Sequence, residues 1–360
     1  MARTSESAPV ARAKLSDVAR LAEVSLATAS RALNQPEKVR SEIRERVTVA
    51  VQLLGYSPDR MAKALSSGRS HTVGAVVPTL GNAIFADGVE ALQNRLGERG
   101  YTLILAHSQY RPEREFLQFK AMIEHNVDGL VLVGDTFAPE TIPLIRSRGV
   151  AAVTTYVCTS RHDIPAIGID NWQATYDATR YMVELGHREF AIIANTALPN
   201  DRSQARLQGM LAAIAEEGIR LAPSRIVEAP HPIIANGREA FARLRALHPA
   251  VTAYLCTTDA MALGAVAEAL RSGLRVPDDV SVIGFDDVEI AAEIDPPLTT
   301  VRVPAVDIGT LAADHLIGMI EFQQLPANTR LEAALVRRGS TGPAPAIAPK
   351  RRRLRQTAAQ

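Results

Sequence analysis

The chain has 360 residues, 47% of them hydrophobic and only 4% aromatic, which suits two or three domains with cores of Leu, Ile, Val and Ala. Two isolated cysteines, Cys158 and Cys256, exclude a disulfide framework and a zinc site and fit a reducing compartment. No apolar run reaches the roughly 18–20 residues of a membrane span, and "MARTSESAPVARAK" lacks the apolar segment of a secretory signal.

The net charge of +1 hides a segregation. Residues 1–70 carry +5, residues 337–360 carry +7 and the body between them carries −11. Basic ends on an acidic body suggest that the ends meet a polyanion. For the tail, a merely solvated basic surface is the plainer alternative.

Residues 1–14 read as a flexible arm. "LSDVARLA" reads as a helix, with Ser16 placed to cap it and Val18, Ala19 and Ala22 on one face. "LAEVSLATASRAL", Leu21–Leu33, fits one amphipathic helix or two short ones broken at Glu23-Val24-Ser25. In the second reading Ser25 caps a slim helix. Its Ala29, Ala32 and Leu33 pack inward, and Leu26, Ala27, Thr28, Ser30, Arg31 and Asn34 face outward or sideways. Such a helix suits the DNA major groove. Arg31 has the donors for guanine O6 and N7, and Ser25, Thr28, Ser30 and Asn34 can hold phosphates. A small helical domain for protein contacts is the competing reading. "SEIRERVTVAVQLLG" is a third helix: Ser41 can cap it, Ile43, Val47, Ala50, Val51 and Leu54 share a face, and Gly55 stops it. "MAKALSSGRS" has the texture of a linker.

From His71 onward apolar β-branched runs alternate with longer helical patterns. Strands are predicted at 72–77, 101–105, 128–133, 150–155, 190–194, 226–230, 251–257 and 279–285. This alternation means parallel sheets covered on both faces. About ten strands over this length imply two α/β lobes, with a ligand beyond the strand C-termini, between the lobes. The Pro/Ala-rich, then basic tail "GPAPAIAPKRRRLRQTAAQ" reads as disordered.

"DVA", "VS..T.SR.LN", "V...IRERV..A...LGY.P...A..L", "TVGAVVP", "GIDN", "LGHREFAII", "TTDAMALGAV", "VPDDVSVIGFDD" and "PPLTTVRVP" follow one another in order. Through them, residues 15–340 resemble the lactose/galactose repressor family of bacterial transcription regulators. The resemblance implies a helix-turn-helix domain at 15–60, a hinge helix at 61–70 and a two-lobed, periplasmic-binding-protein-like α/β core at 71–340. The N-lobe would take about 71–170 and 303–330, the C-lobe about 171–302 and 331–340, and a basic tail 341–360. It also implies a homodimer on a pseudo-palindromic double-stranded DNA operator. Leu26, Ala27 and Arg31 match specificity positions, and Ser16, Tyr56 and Ala62 are further DNA-binding candidates. Leu65 matches the hinge leucine that wedges into the minor groove. Leu26 and Ala27 offer only apolar fit, so Arg31 carries most of the polar readout. Glu23 departs from the glycine common at the turn, where a left-handed backbone costs a side chain about 1 kcal/mol.

The same resemblance places effector contacts at Asn82, Phe85, Tyr156, Arg206, Thr258 and Asp286. Thr258 stands where Asn is commoner. A capping carboxylate suits Asp287 better than Asp286. "AHSQYRPERE" looks most like the gluconate-regulator branch, which favours a sugar or sugar acid such as gluconate, with Arg202 and Arg206 to neutralise it. Purines remain an alternative. The chain lacks a GxGxxG motif, a P-loop, a GxSxG elbow and a metal-spaced His/Cys cluster. It therefore reads as no enzyme, calling for no cofactor or metal. The tail lacks tetramerising heptads, so a dimer is expected. The rival reading is a cytosolic small-ligand-binding α/β protein or enzyme with a helical protein-interaction head.

Overall fold

The computed structural model describes residues 13–57 and 69–345. The chain divides into a unit at Met1–Ser70 and a unit at His71–Gln360.

The first unit holds three helices, α1 (Leu15–Leu21), α2 (Leu26–Asn34) and α3 (Ser41–Leu54). Val18, Ala22, Ala32, Val47 and Ala50 form its core. Small residues on α1 and α2 let the helices approach closely around a few valines. The break at residues 22–25 is real, so "LAEVSLATASRAL" forms two helices. Gly55 ends α3 in the left-handed conformation, φ 57°, where a Cβ would be strained. Two capping expectations are corrected. Ser16 lies exposed in the first turn of α1, not at its cap. The cap residue is Lys14, whose N–H donates to the Asp17 carboxylate at 2.9 Å, because Asp17 stands three residues further on. Likewise Arg40 precedes α3 and Ser41 is its first residue.

The second unit runs β1 (Thr72–Val77), α4 (Ala83–Glu98), β2 (Thr102–His107), α5 (Pro112–Glu124), β3 (Gly129–Val133), α6 (Thr141–Arg148), β4 (Ala151–Thr155), β5 (Ala166–Gly168), α7 (Asn171–Glu184), β6 (Phe190–Ala194), α8 (Asp201–Glu216), β7 (Ile226–Glu228), α9 (Ile234–Leu247), β8 (Ala253–Cys256), α10 (Asp259–Arg271), β9 (Ser281–Ile283), α11 (Ile290–Glu293), β10 (Thr300–Arg302), α12 (Ala305–Phe322), β11 (Thr329–Arg330) and β12 (Ala334–Val336). One parallel sheet has the order β11-β5-β4-β3-β1-β2 and another β7-β6-β8-β9; β10 and β12 form an antiparallel pair. Each predicted apolar run overlaps a strand, with β2 extending two residues past its run. The strands that the patterning misses, β5, β10, β11 and β12, have two or three residues each, too few for a hydrophobic period.

Helix packing assigns the lobes. Helix α12 packs on α4 and β4 of the first sheet, while α7 packs on α8 of the second. The chain therefore passes between the sheets more than once, after β5, after β10 and after β11. Strand β2 is the edge of the first sheet, and Ile104 and Leu105 on it are partly open, so the expectation of sheets covered on both faces fails there. Among the described residues no helix is long and apolar enough to cross a membrane. No group of three or more His, Cys, Asp or Glu could hold a metal ion there, and Cys158 and Cys256 are free thiols.

Candidate functional site

Two surfaces gather the candidate residues, one on each unit. On the head, α2 buries Ala29 and Ala32 and packs Leu33 against the core. Leu26, Ala27, Arg31 and Asn34 are exposed, while Thr28 and Ser30 are half-buried. The Ser25 hydroxyl accepts the Thr28 N–H at 3.1 Å and pairs with the Thr28 hydroxyl at 2.8 Å. It therefore anchors the start of α2. The Asn34 amide donates to the Ser30 carbonyl at 3.0 Å, which commits part of that side chain to its own helix. Tyr56 is half-buried against the head core. Ala62 and Leu65, and the hinge helix expected around them, lie outside the described residues.

Glu23 sits in the turn with φ 52°, the left-handed geometry that favours glycine. Arg46 on α3 compensates. Its guanidinium donates to the carbonyls of Ala22 and, at 3.1 Å, of Glu23, and reaches the Glu23 carboxylate at 3.5 Å. The turn carbonyls are thus satisfied by a cation that also neutralises the acidic side chain.

In the second unit the strand C-termini of both sheets point at a common cavity. Asn82, Phe85, Tyr156, Arg206, Thr258 and Asp286 all line it, with Tyr110, Asn195, Asn200 and Arg202. Its free volume is about 20 Å³, the space of a single water molecule. Asn82 caps α4, accepting the Ile84 N–H at 3.3 Å. Phe85 belongs both to the hydrophobic core and to the cavity wall, edge-on to Tyr156 at 5.2 Å. The Tyr156 hydroxyl donates to the Ile84 carbonyl at 2.9 Å. Only its lone pairs remain for a ligand, and burial holds its phenol protonated.

Arg206 is buried rather than a surface salt-bridge residue. Nε donates to Asn171 Oδ1 and Nη1 to the Thr257 carbonyl, both at 2.8 Å. The guanidinium lies 3.7 Å from the Phe285 ring centroid and 3.7 Å from Asp286 Oδ1. Burial lowers its pKa to about 10. Asp286 is buried with φ 129°, a backbone conformation that costs energy and clusters at functional sites. Burial pushes its carboxyl above the ordinary carboxylate range, and Arg206 opposes this. Asp286 Oδ2 and Thr258 Oγ1 are buried without a hydrogen-bond partner. Orphaned polar atoms in a cavity wall are the signature of a site that a polar ligand completes. Asp287 caps no helix, contrary to expectation. Arg302 and Arg338 hold its carboxylate at 2.6 and 2.7 Å.

Arg202 stands one turn before Arg206 on α8. It donates through Nη1 to Asp201 at 3.0 Å. Asp201 also accepts the Asp135 N–H at 2.6 Å, a bond from one lobe to the other. Gly134, φ 86°, permits this approach, since a Cβ there would collide with Arg202 and Asp201. Glu115 of α5 lines the adjoining cavity with Arg202. Burial raises its carboxyl to about 8, with Arg202 opposing. Tyr110, Asn195, Asn200 and Glu115 escaped the sequence reading. Three of them lie in loops without periodicity, and Glu115 looks like an ordinary acid in a first helical turn.

Comparison with known proteins finds a match for each of the two units. Residues 14–59 match the model "Bacterial regulatory proteins, lacI family", and residues 179–341 match "Periplasmic binding protein-like domain". The chain is 32% identical to the HTH-type transcriptional repressor CytR of Escherichia coli (strain K12) over 333 residues, 91% of this chain and 96% of that protein. It is 31% identical to the HTH-type transcriptional regulator GntR of the same organism, over 87% of this chain and 94% of that one. The Lac repressor dimer bound to operator and the anti-inducer ONPF aligns with a TM-score of 0.81 and 26% identity. That alignment covers 92% of this chain and 99% of the repressor.

Proposed function

The chain belongs to the lacI family of bacterial regulatory proteins, a transcription regulator and not an enzyme, and we propose that it is a repressor whose operator affinity is set by a sugar or sugar acid in the interlobe cage. The observation that carries the ligand reading is the cage itself. Six positions named from sequence meet there, on loops and helices that follow strands of both sheets, around two orphaned oxygens. The acid is favoured over a neutral sugar because Arg202 and Arg206 lie side by side in the wall while burial moves the Asp286 carboxyl toward its neutral form.

The working unit is a dimer in the cytoplasm, associated with the nucleoid when bound to DNA. Arg31 supplies the main polar contact to a base edge, Leu26 and Ala27 supply apolar fit, and Ser25, Thr28, Ser30 and Asn34 lie along the phosphates. Ligand binding closes or reorients the lobes and shifts the DNA-binding equilibrium by its differential affinity for the two states.

Two measurements test this. Fluorescence anisotropy at physiological salt should show a palindrome near the protein's own gene bound above random DNA. Arg31→Ala should cost about 1–3 kcal/mol and relax specificity at one base pair. A thermal-shift screen of gluconate, glucose and purine bases should raise the melting point with the acid. Equal affinity for palindrome and random DNA would end the regulatory reading, and a shift with purines alone would end the sugar-acid reading.

A further inference from the structure

Glu115 stands in the first turn of α5, yet it is only 5% exposed. Among the described residues no hydrogen bond or ion pair reaches its carboxyl. It faces a small cavity of about 20 Å³, room for one water. Both lobes build the wall. Ser108, Tyr110 and Arg111 before α5 and Thr136 after β3 belong to the first lobe, while Asp201 and Arg202 at the start of α8 belong to the second. The charges that act on Glu115 are those of the second lobe: Arg202 favours its anion and Asp201 opposes it. Tyr110 and Arg111 are the other titratable groups of the wall.

The seal over Glu115 is also the joint that ties the lobes. Asp201 accepts the Asp135 N–H at 2.6 Å and an Arg202 Nη1 hydrogen at 3.0 Å. On the first-lobe side Asp135 is fixed independently. Its carboxylate accepts the Ser160 hydroxyl and Arg161 Nε, both at 2.9 Å, and His162 Nε2 lies 3.9 Å away. Parting the lobes therefore breaks the Asp201 bond and leaves the Asp135 loop in place. It also withdraws Asp201 and Arg202 from the wall and returns Glu115 to water. In water its carboxyl ionises near 4.5, whereas burial between the joined lobes raises it to about 8, outweighing the pull of Arg202.

We propose that the proton on Glu115 is a ligand of the joined lobes: they close with its uptake and open with its release, so that rising pH opposes closure. The closed form holds this proton more tightly than the open form does. Closure is therefore favoured at low pH, and the bias fades as the closed form in turn lets the proton go. The device acts at the joint and not in the cage, so it works whichever ligand the cage takes. By linkage, any ligand that prefers the closed lobes binds less tightly as pH rises.

Amide exchange of the full chain, with no ligand added, tests this on the segment that carries the Asp135 N–H, the donor that closes the joint. After correction for intrinsic exchange, wild-type protection there should fall about tenfold or more between roughly pH 6 and pH 8. Strand β8 and helix α10, in the core of the second lobe, should hold theirs. Glu115→Gln keeps the size and cannot ionise, so the fall should vanish. Glu115→Leu should behave alike, and melting points report that both variants fold. Asp201→Ala should lose the protection at every pH. Constant protection in the wild type overturns the proposal. So does a fall that persists in Glu115→Gln, which would pass the effect to His162, and so does protection that survives Asp201→Ala. A fall shared equally by β8 and α10 overturns it too, as a general loss of stability. None of these outcomes bears on the ligand of the cage.

Discussion

Arg206 stands 3.7 Å from the Asp286 carboxylate while its Nε and Nη1 are already spent on Asn171 and Thr257. The two charges are therefore neighbours without a full hydrogen bond, and Asp286 Oδ2 has no partner. A ligand hydroxyl inserted between them would donate to Asp286 Oδ2 and accept from the guanidinium. Asp286→Asn leaves the buried Arg206 guanidinium without its counter-charge, so the melting point should fall. Effector affinity should fall about ten- to a hundredfold, the cost of one charge-assisted bond of roughly 1.5–3 kcal/mol. Unchanged affinity by calorimetry would remove Asp286 from the site.

Arg206→Ala removes more than a charge. It deletes two buried hydrogen bonds, the stacking on Phe285 and the counter-charge of Asp286. A loss on the order of 3–5 kcal/mol follows from breaking a buried pair. Chemical denaturation should show it clearly. A loss below about 1 kcal/mol would mean that the arginine is less committed to the wall than its contacts imply.

Glu115 makes a pH prediction. Burial raises its carboxyl from 4.5 to about 8, so the folded chain holds this proton more tightly than the unfolded chain does. The contribution to stability is fully present below pH 4.5 and is lost as pH rises through about 8. Wild-type stability should therefore decline across that window by an amount on the order of a few kcal/mol. Glu115→Gln should flatten the decline. Parallel pH profiles for the two proteins would contradict the assignment.

The Glu23 turn gives a paired test in the head. Arg46→Ala frees the carbonyls of Ala22 and Glu23 and should cost about 1–3 kcal/mol. Glu23→Gly relieves the left-handed strain and should stabilise by up to about 1 kcal/mol, less what the exposed ion pair contributed. Amide exchange in α1 and α2 of the full chain reads both. Faster exchange in the glycine variant would show that the Arg46 contact outweighs the strain.

Ile104 and Leu105 are 39% and 38% exposed on the edge strand β2. An open, apolar sheet edge is a template for pairing unless a partner covers it. Leu105→Lys should shift the dimer toward monomer in sedimentation equilibrium and weaken operator binding with it. A variant that remains fully dimeric would place the interface elsewhere.

Much of this architecture was legible because its causes are local. Strands β1, β3, β4, β6 and β8 are apolar runs, and α2 announces itself by a capping serine and by alanines spaced to pack inward. The cage residues were legible only through motif resemblance. Asn82, Arg206 and Asp286 sit far apart in the chain, and nothing in spacing or charge says that they converge. Ser16, Ser41 and Asp287 show the limit of local reasoning. A side chain able to cap is not the one that caps when a neighbour, such as Asp17, or a distant cation, such as Arg302, has the better geometry.

By itself the sequence determined the order of elements, the split into a helical head and an α/β core, and the presence of a separate short helix, α2, that carries Arg31. These follow from hydrophobic period, caps and breakers, which act over a few residues. Only the tertiary structure decided that Arg46 supports the Glu23 turn, that Asp201 bonds across the lobes to Asp135, and that Glu115 and Asp286 lose their water. Those outcomes depend on desolvation and on distances between segments that the chain separates by 23 to 66 residues, and no local pattern encodes either.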